Sequence, residues 1–485
     1  MNKPPWKPWR EVVSLRDDVR SGELSLKIFA ADLYEVVMER GPRVYRDPAE
    51  FFALTYPTYA LRELARDVAR RLAGQSDKAV RQLELTYGGG KTHTLITMYH
   101  LSHNPAGLPD LPAVGEFIEH MGIQPPRARV AVLAFDKLDV EKGMEIRGPD
   151  GTGRWLRQPW SVLAYQIAGS EGLRLLHAEG EDAERESPPA ENLLVDLLAL
   201  PAREGLATLI LIDEVLMYAR EKVGLDRAWR DRLPAFFQYL TQAAGKVDRC
   251  AIVASLLATD PAKSDPLGRE ILLELQAIFL REREEGVQPV GKADVAEVLR
   301  RRFFTAESIR DRAAFRPHVL AALTGINALD EQTRREAGAT EERFLASYPF
   351  HPDLTEVFYT KWTALERFQR TRGILRTFAL ALREAAAWDD APLIAANVFL
   401  TAPADAGISE ATRELAAAAV TEDGTGNRQE WSAILESELG KARSIQEEIP
   451  GLRYREMEQA VLATFLHSQP IGQKALDRDL LLLLG

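Results

Sequence analysis

The stretch Tyr87-Gly88-Gly89-Gly90-Lys91-Thr92-His93 decides how the chain is read. Before it, residues 80–87 place Leu83, Leu85 and Tyr87 in alternation with polar side chains, the pattern of a strand. After it, residues 92–101 carry apolar side chains at helical spacing. A glycine turn that opens a helix presents backbone N–H groups, and the helix dipole favours negative charge at that end. Phosphate oxygens are the guests such a loop suits. Gly88, Gly89 and Gly90 would cradle them, Lys91 would reach the β- and γ-phosphates, and the Thr92 hydroxyl would ligate Mg²⁺. His93 would pack or cap beside the loop. Three glycines followed by Lys-Thr arise by chance in on the order of one chain in a thousand of this length. The generic motif has a further glycine where this chain has Leu85. The alternative is a plain glycine turn joining a strand to a helix.

A second stretch argues against the plain turn. Leu209-Ile210-Leu211-Ile212-Asp213-Glu214 is an apolar strand ending in two carboxylates. Ligands of open α/β sheets bind outside the carboxyl ends of the strands. Asp213 is expected to hold Mg²⁺, directly or through water, and Glu214 to polarise an attacking water as general base. Residues 250–257 form another apolar strand, expected beside the Asp-Glu strand. Ser255 near its tip would sense the γ-phosphate, with Thr259 as a substitute; the alternative is a hydroxyl satisfied by the backbone.

Short, almost wholly apolar strands at 130–135, 208–212 and 250–257, each flanked by helical patterns, imply a buried parallel sheet covered on both faces. The expected fold is α/β: a P-loop NTPase core, a helical lid and a helical C-terminal segment. The expected divisions are residues 1–78, an arm and helices; 79–304, the core; 305–420, the lid; and 421–485, the C-terminal segment. Residues 1–20 read as an extended arm, 24–40 and 59–72 as helices, and Gly74 as a stop. Residues 136–153 suggest a hairpin excursion, and the acidic run 179–189 a solvated loop.

Composition narrows the class. The 485 residues are 46% hydrophobic and 27% charged, which excludes a disordered or collagen-like chain. No apolar run approaches the length of a membrane helix, and the N-terminus lacks the apolar core of a secretory signal. One cysteine, Cys250, excludes an internal disulfide and Cys-rich zinc modules, so a cytoplasmic setting and no membrane are expected. The net charge of −11 argues against uniform coating of nucleic acid.

A local exception lies at residues 361–383, with six cations against one acid. Arg372, Arg376 and Arg383 share a helical face, and Arg376 is expected over the nucleotide from the lid; a solvated face or a DNA-facing patch are the alternatives. A neighbouring subunit's site would be completed by Arg281 or Arg283. His100 and His103 read as a surface pair, since no third metal ligand accompanies them.

At these residues the chain resembles a family of large bacterial and archaeal AAA+ type P-loop ATPases, long labelled a domain of unknown function. They are similar to the ATPases of BREX-type phage-defence clusters and often lie beside DNA methyltransferase and helicase genes. The resemblance runs through Lys7-Pro8-Trp9-Arg10-Glu11-Val12, the glycine loop, Gln158-Pro159-Trp160 and Asp213-Glu214. Its most specific segments are Tyr348-Pro349-Phe350-His351-Pro352 and Glu366-Arg367-Phe368-Gln369-Arg370-Thr371-Arg372-Gly373. It implies ATP at residues 88–92, Mg²⁺-linked hydrolysis at Asp213 and Glu214, and a lid arginine at Arg372 or Arg376. It also implies DNA and other proteins of a defence or modification system as partners, and a homo-oligomer of the AAA+ kind. The family's own loop lacks the first generic glycine, so Leu85 departs from other ATPases and not from this family. Two rival readings stand beside the ATPase: a nucleotide-gated switch with slow turnover, and a DNA-binding scaffold with a vestigial site.

Overall fold

A computed structural model describes residues 6–24, 29–84, 90–256, 266–280, 287–362, 365, 371–419, 421–422, 428–452, 454–469 and 473–483. The chain divides into two units, one of residues 31–53 and 57–290, the other of residues 1–30, 54–56 and 291–485.

The first unit is built on a parallel sheet. Its strands are β1 (Val80–Leu83), β2 (Ala128–Ala134), β5 (Ala207–Asp213) and β6 (Cys250–Ser255), with a separate antiparallel hairpin of β3 (Met144–Arg147) and β4 (Gly153–Leu156). The sheet order is β1-β6-β5-β2. Every residue of β5 and β6 is buried, so both faces are covered, as their unbroken apolarity requires. The chain leaves β1, crosses to the far edge at β2, and returns through β5 and β6. Val287 adds a parallel bridge to Leu83 on the other side of β1.

Side chains close what the ladder leaves open. The outer edge of β2 is met by Gln166, which accepts from Val132 N at 2.9 Å and donates to Val132 O at 2.8 Å. One amide thus stands in for a neighbouring strand and blunts an edge that would otherwise template pairing. Arg71 does similar work, donating to the carbonyls of Cys250, Ser76, Ala244 and Val247.

Helices follow the expected spacing where capping agrees with it. Thr58 caps Tyr59–Leu72 by accepting from Leu61 N, and Gly74 beyond its end is left-handed at φ 74°. The hairpin excursion is present as β3 and β4. The helix expected over 24–40 is only Leu33–Val37: Asp32 caps its start, and left-handed Glu39 and Gly41 follow its end. The acidic run 179–189 is not merely solvated. The Glu184 carboxylate accepts from the backbone N–H of Arg157 and Gln158, and Trp160 Nε1 donates to Arg185 O.

The second unit is helical, with Val295–Phe303, Arg316–Leu329, Ala337–Ser347, Pro352–Thr360, Thr371–Ala385, Glu410–Ala418, Trp431–Glu448 and Glu456–His467 as its main elements. The N-terminal segment is not an extended arm. It forms Trp9–Val12 and Asp17–Arg20, and fully buried Trp9 donates through Nε1 to Asp389 at 2.6 Å. Its apolar residues Trp9, Val13 and Val19 share a core with Phe303, Phe350 and Phe378. The units therefore cut across the four expected segments: residues 1–78 form no unit of their own, and the second unit resumes at 291 rather than 305. No described helix is long and apolar enough to cross a membrane.

Candidate functional site

The C-terminal ends of β6 and β5 stand side by side, with Ser255 in register with Asp213. Leu83 of β1 is in register with Ser255 from the other side. The strand carrying Ser255 therefore lies between the one that leads to the glycine loop and the one that ends in Asp213. Beside it, helix Lys91–His103 begins at Gly90.

Gly90 has φ 91°, a left-handed conformation that side chains rarely adopt. A Cβ there would come within 3.1 Å of Val290, so the position is closed sterically as well. Its carbonyl accepts from Thr94 N at 2.7 Å and starts the helix. Lys91 and Thr92 thus occupy the first turn, where backbone N–H groups have no partner within the helix. His93 follows and stacks on buried Phe51, with ring centroids 4.4 Å apart. Leu85, Thr86, Tyr87, Gly88 and Gly89 lie outside the described residues.

The decisive contact crosses between the two motifs. Thr92 Oγ1 donates to Asp213 Oδ2 at 3.0 Å. The other oxygen of that carboxylate, Oδ1, is buried with no hydrogen-bond partner, and so is Ser255 Oγ. Burial raises the Asp213 pKa far above the ordinary carboxylate range, and the neighbouring Glu214 raises it further; Lys91 and the Thr92 bond oppose them. A buried acid with an idle oxygen and a pKa raised this far is the kind of group that gathers at functional sites. The donor set, hydroxyl and carboxylate oxygens, suits Mg²⁺, which takes few protein ligands and completes its shell with water and substrate oxygens. Among the described residues no three His, Cys, Asp or Glu side chains could hold a metal ion by themselves.

Glu214 sits one residue beyond β5 with φ 56° and ψ 44°. A left-handed backbone at a residue other than glycine costs on the order of 1 kcal/mol and gathers at functional sites. Here the twist ends the strand and starts helix Val215–Leu225, while Glu214 N donates to Ser255 O at 3.0 Å.

The structure brings together Gly90, Lys91, Thr92, His93, Asp213, Glu214 and Ser255 in one unit. Arg376 is in the other unit, where it donates to Leu24 O at 2.7 Å and pairs with Glu414. Arg383 donates to Val19 O and Gly22 O, and Lys361 to His467 O. These three cations brace their own unit, which removes them from a free basic face. The Arg372 side chain, Arg281, Arg283 and Thr259 lie outside the described residues. His100 is not a surface residue: it is buried, with Nε2 2.8 Å from Tyr45 O.

Sequence reading passed over Asp136 and Lys137 at the end of β2. Lys137 Nζ lies 3.1 Å from Asp136 and 2.8 Å from Asp32, and the Asp136 charge is felt at Asp213. The signal was present, since this Asp also follows an apolar strand at 130–135, as Asp213 closes its own.

No curated protein and no solved structure matches the chain. Residues 8–266, more than half of the chain, match the DUF499 N-terminal domain, and the chain belongs to that family.

Proposed function

We propose that the protein binds and hydrolyses ATP with Mg²⁺. The observation that carries this reading is the 3.0 Å bond from Thr92 to Asp213, because it joins the residue after the loop lysine to the acid at a strand end. Lys91 and the first turn of its helix bind and orient the phosphates. Thr92 and Asp213 would hold Mg²⁺, which when bound neutralises charge on the phosphate oxygens. Glu214 accepts a proton from the attacking water as general base. Ser255, with its free buried hydroxyl, donates a hydrogen bond toward the terminal phosphate. Leu83 and Asp213 both pair with Ser255, an order that supports the reading by putting that hydroxyl between the two motifs.

Coupling of turnover to a DNA-related task in a phage-defence or DNA-modification system, with partner proteins, rests on the family resemblance alone. Phosphate release from ATP, measured with and without DNA, tests both parts. The reading expects Mg²⁺-dependent release that a chelator stops and that Asp213→Ala abolishes. No release from the wild type under any of these conditions contradicts hydrolysis, and release that DNA does not change contradicts the coupling.

A further inference from the structure

One acid at the rim of the site has no part in the scheme above. Asp136 lies two residues past Ala134, the register partner of Asp213, and Phe135 N donates to the Asp213 carbonyl at 3.0 Å. Its partner Lys137 is shared with Asp32. Asp32 is itself fixed, because it caps helix Leu33–Val37 by accepting from Glu35 N at 3.1 Å. The Asp136 carboxylate is therefore held at the strand end beside Asp213, whose Oδ1 is buried and unpartnered. Among the described residues no three His, Cys, Asp or Glu side chains gather to hold a metal ion, so Asp136 and Asp213 are joined by no third such group.

We propose that Asp136, held by Lys137, sets the Mg²⁺ demand of the nucleotide site through its field rather than by ligation. This rests on the nucleotide reading given above. A carboxylate near the cation position favours the divalent ion, and a lysine beside that carboxylate cancels part of the attraction. Two substitutions then act in opposite directions. Asp136→Asn removes the attraction, so more Mg²⁺ is needed. Lys137→Met unmasks it, so less is needed. The two side chains are 32% and 35% exposed, so neither substitution opens a core cavity. A merely structural role would move both variants the same way.

The experiment is a thermal melt of the full chain at fixed ATP, with Mg²⁺ titrated. The Mg²⁺ concentration at half-effect should rise about three- to tenfold in Asp136→Asn and fall in Lys137→Met, with the final rise in melting temperature kept. Asp136→Glu should restore the wild-type value. Superimposed titrations of Asp136→Asn and wild type, or shifts of both variants in one direction, overturn the inference. A wild type that shows no rise at any Mg²⁺ concentration overturns the nucleotide reading instead, and is recognised before any variant is compared.

Discussion

Thr92 Oγ1 and Asp213 Oδ2 are 3.0 Å apart, and this bond is where the two halves of the candidate site meet. It engages one carboxylate oxygen and leaves Oδ1 buried and free. The cost appears in the pKa of Asp213, which is raised from 3.8 to about 7. Between those values the folded, ligand-free protein binds a proton that the unfolded chain has released, so stability falls as pH rises through this window. Asp213→Asn keeps an acceptor for Thr92 and removes the charge. It should raise ligand-free stability at pH 8 by on the order of 1 kcal/mol and flatten the pH dependence between about 4 and 7. Melts across that range check this, and an unchanged slope counts against the raised pKa.

Glu214 carries the backbone strain of the site at φ 56°. Asn tolerates this conformation better than Glu. Glu214→Asn should melt no lower than wild type and lose at least about 10²-fold in ATP turnover, the loss expected of a general base. A variant that keeps its turnover removes Glu214 from the catalytic step.

Gln166 satisfies both backbone groups of Val132 at the sheet edge. Gln166→Leu preserves bulk and strands both groups. The expected loss is about 2–4 kcal/mol in denaturant unfolding of the sheet unit, since each buried orphan costs about 1–3 kcal/mol. A loss under about 0.5 kcal/mol would mean that the edge is satisfied in another way.

His351 is fully buried in the helical unit and accepts from Asp353 N at 3.2 Å through Nδ1. Burial lowers its pKa from 6.5 to about 4. Its neutral form is the folded one, so stability is lost as pH falls from about 6.5 toward 4, where only the unfolded chain takes the proton. His351→Asn keeps a capping acceptor without a titrating group. It should lessen acid destabilisation in that window, read by melts at pH 4.5 and 7.

Much of the sheet was legible because short, unbroken apolar runs flanked by helical patterns suit strands buried on both faces, as β5 and β6 are. The runs ending at Asp213 and Ser255 were placed within a residue or two, and their adjacency is seen in the register. What was not legible depended on partners distant in sequence. The helical face of Arg376 and Arg383 looked free, but the carbonyls it binds belong to Val19, Gly22 and Leu24, more than 350 residues earlier. Trp9 looked like part of an arm because its acceptor, Asp389, lies 380 residues away in the sequence. Glu184 looked solvated because no local pattern announces that a loop carboxylate will accept from the backbone of Arg157 and Gln158. Periodicity reports which face is buried and says nothing of what covers it.

The central claim, a nucleotide held at Lys91 and Thr92, is tested most directly by a thermal melt with and without Mg-ATP on wild type and Lys91→Ala. A ligand at 100 times its dissociation constant stabilises the folded state by about 2.7 kcal/mol. For a unit of this size, that raises the midpoint by very roughly 5–10 °C. The account predicts this rise in wild type and its loss in Lys91→Ala. A wild type that does not respond, or a Lys91→Ala variant that responds equally, would contradict it.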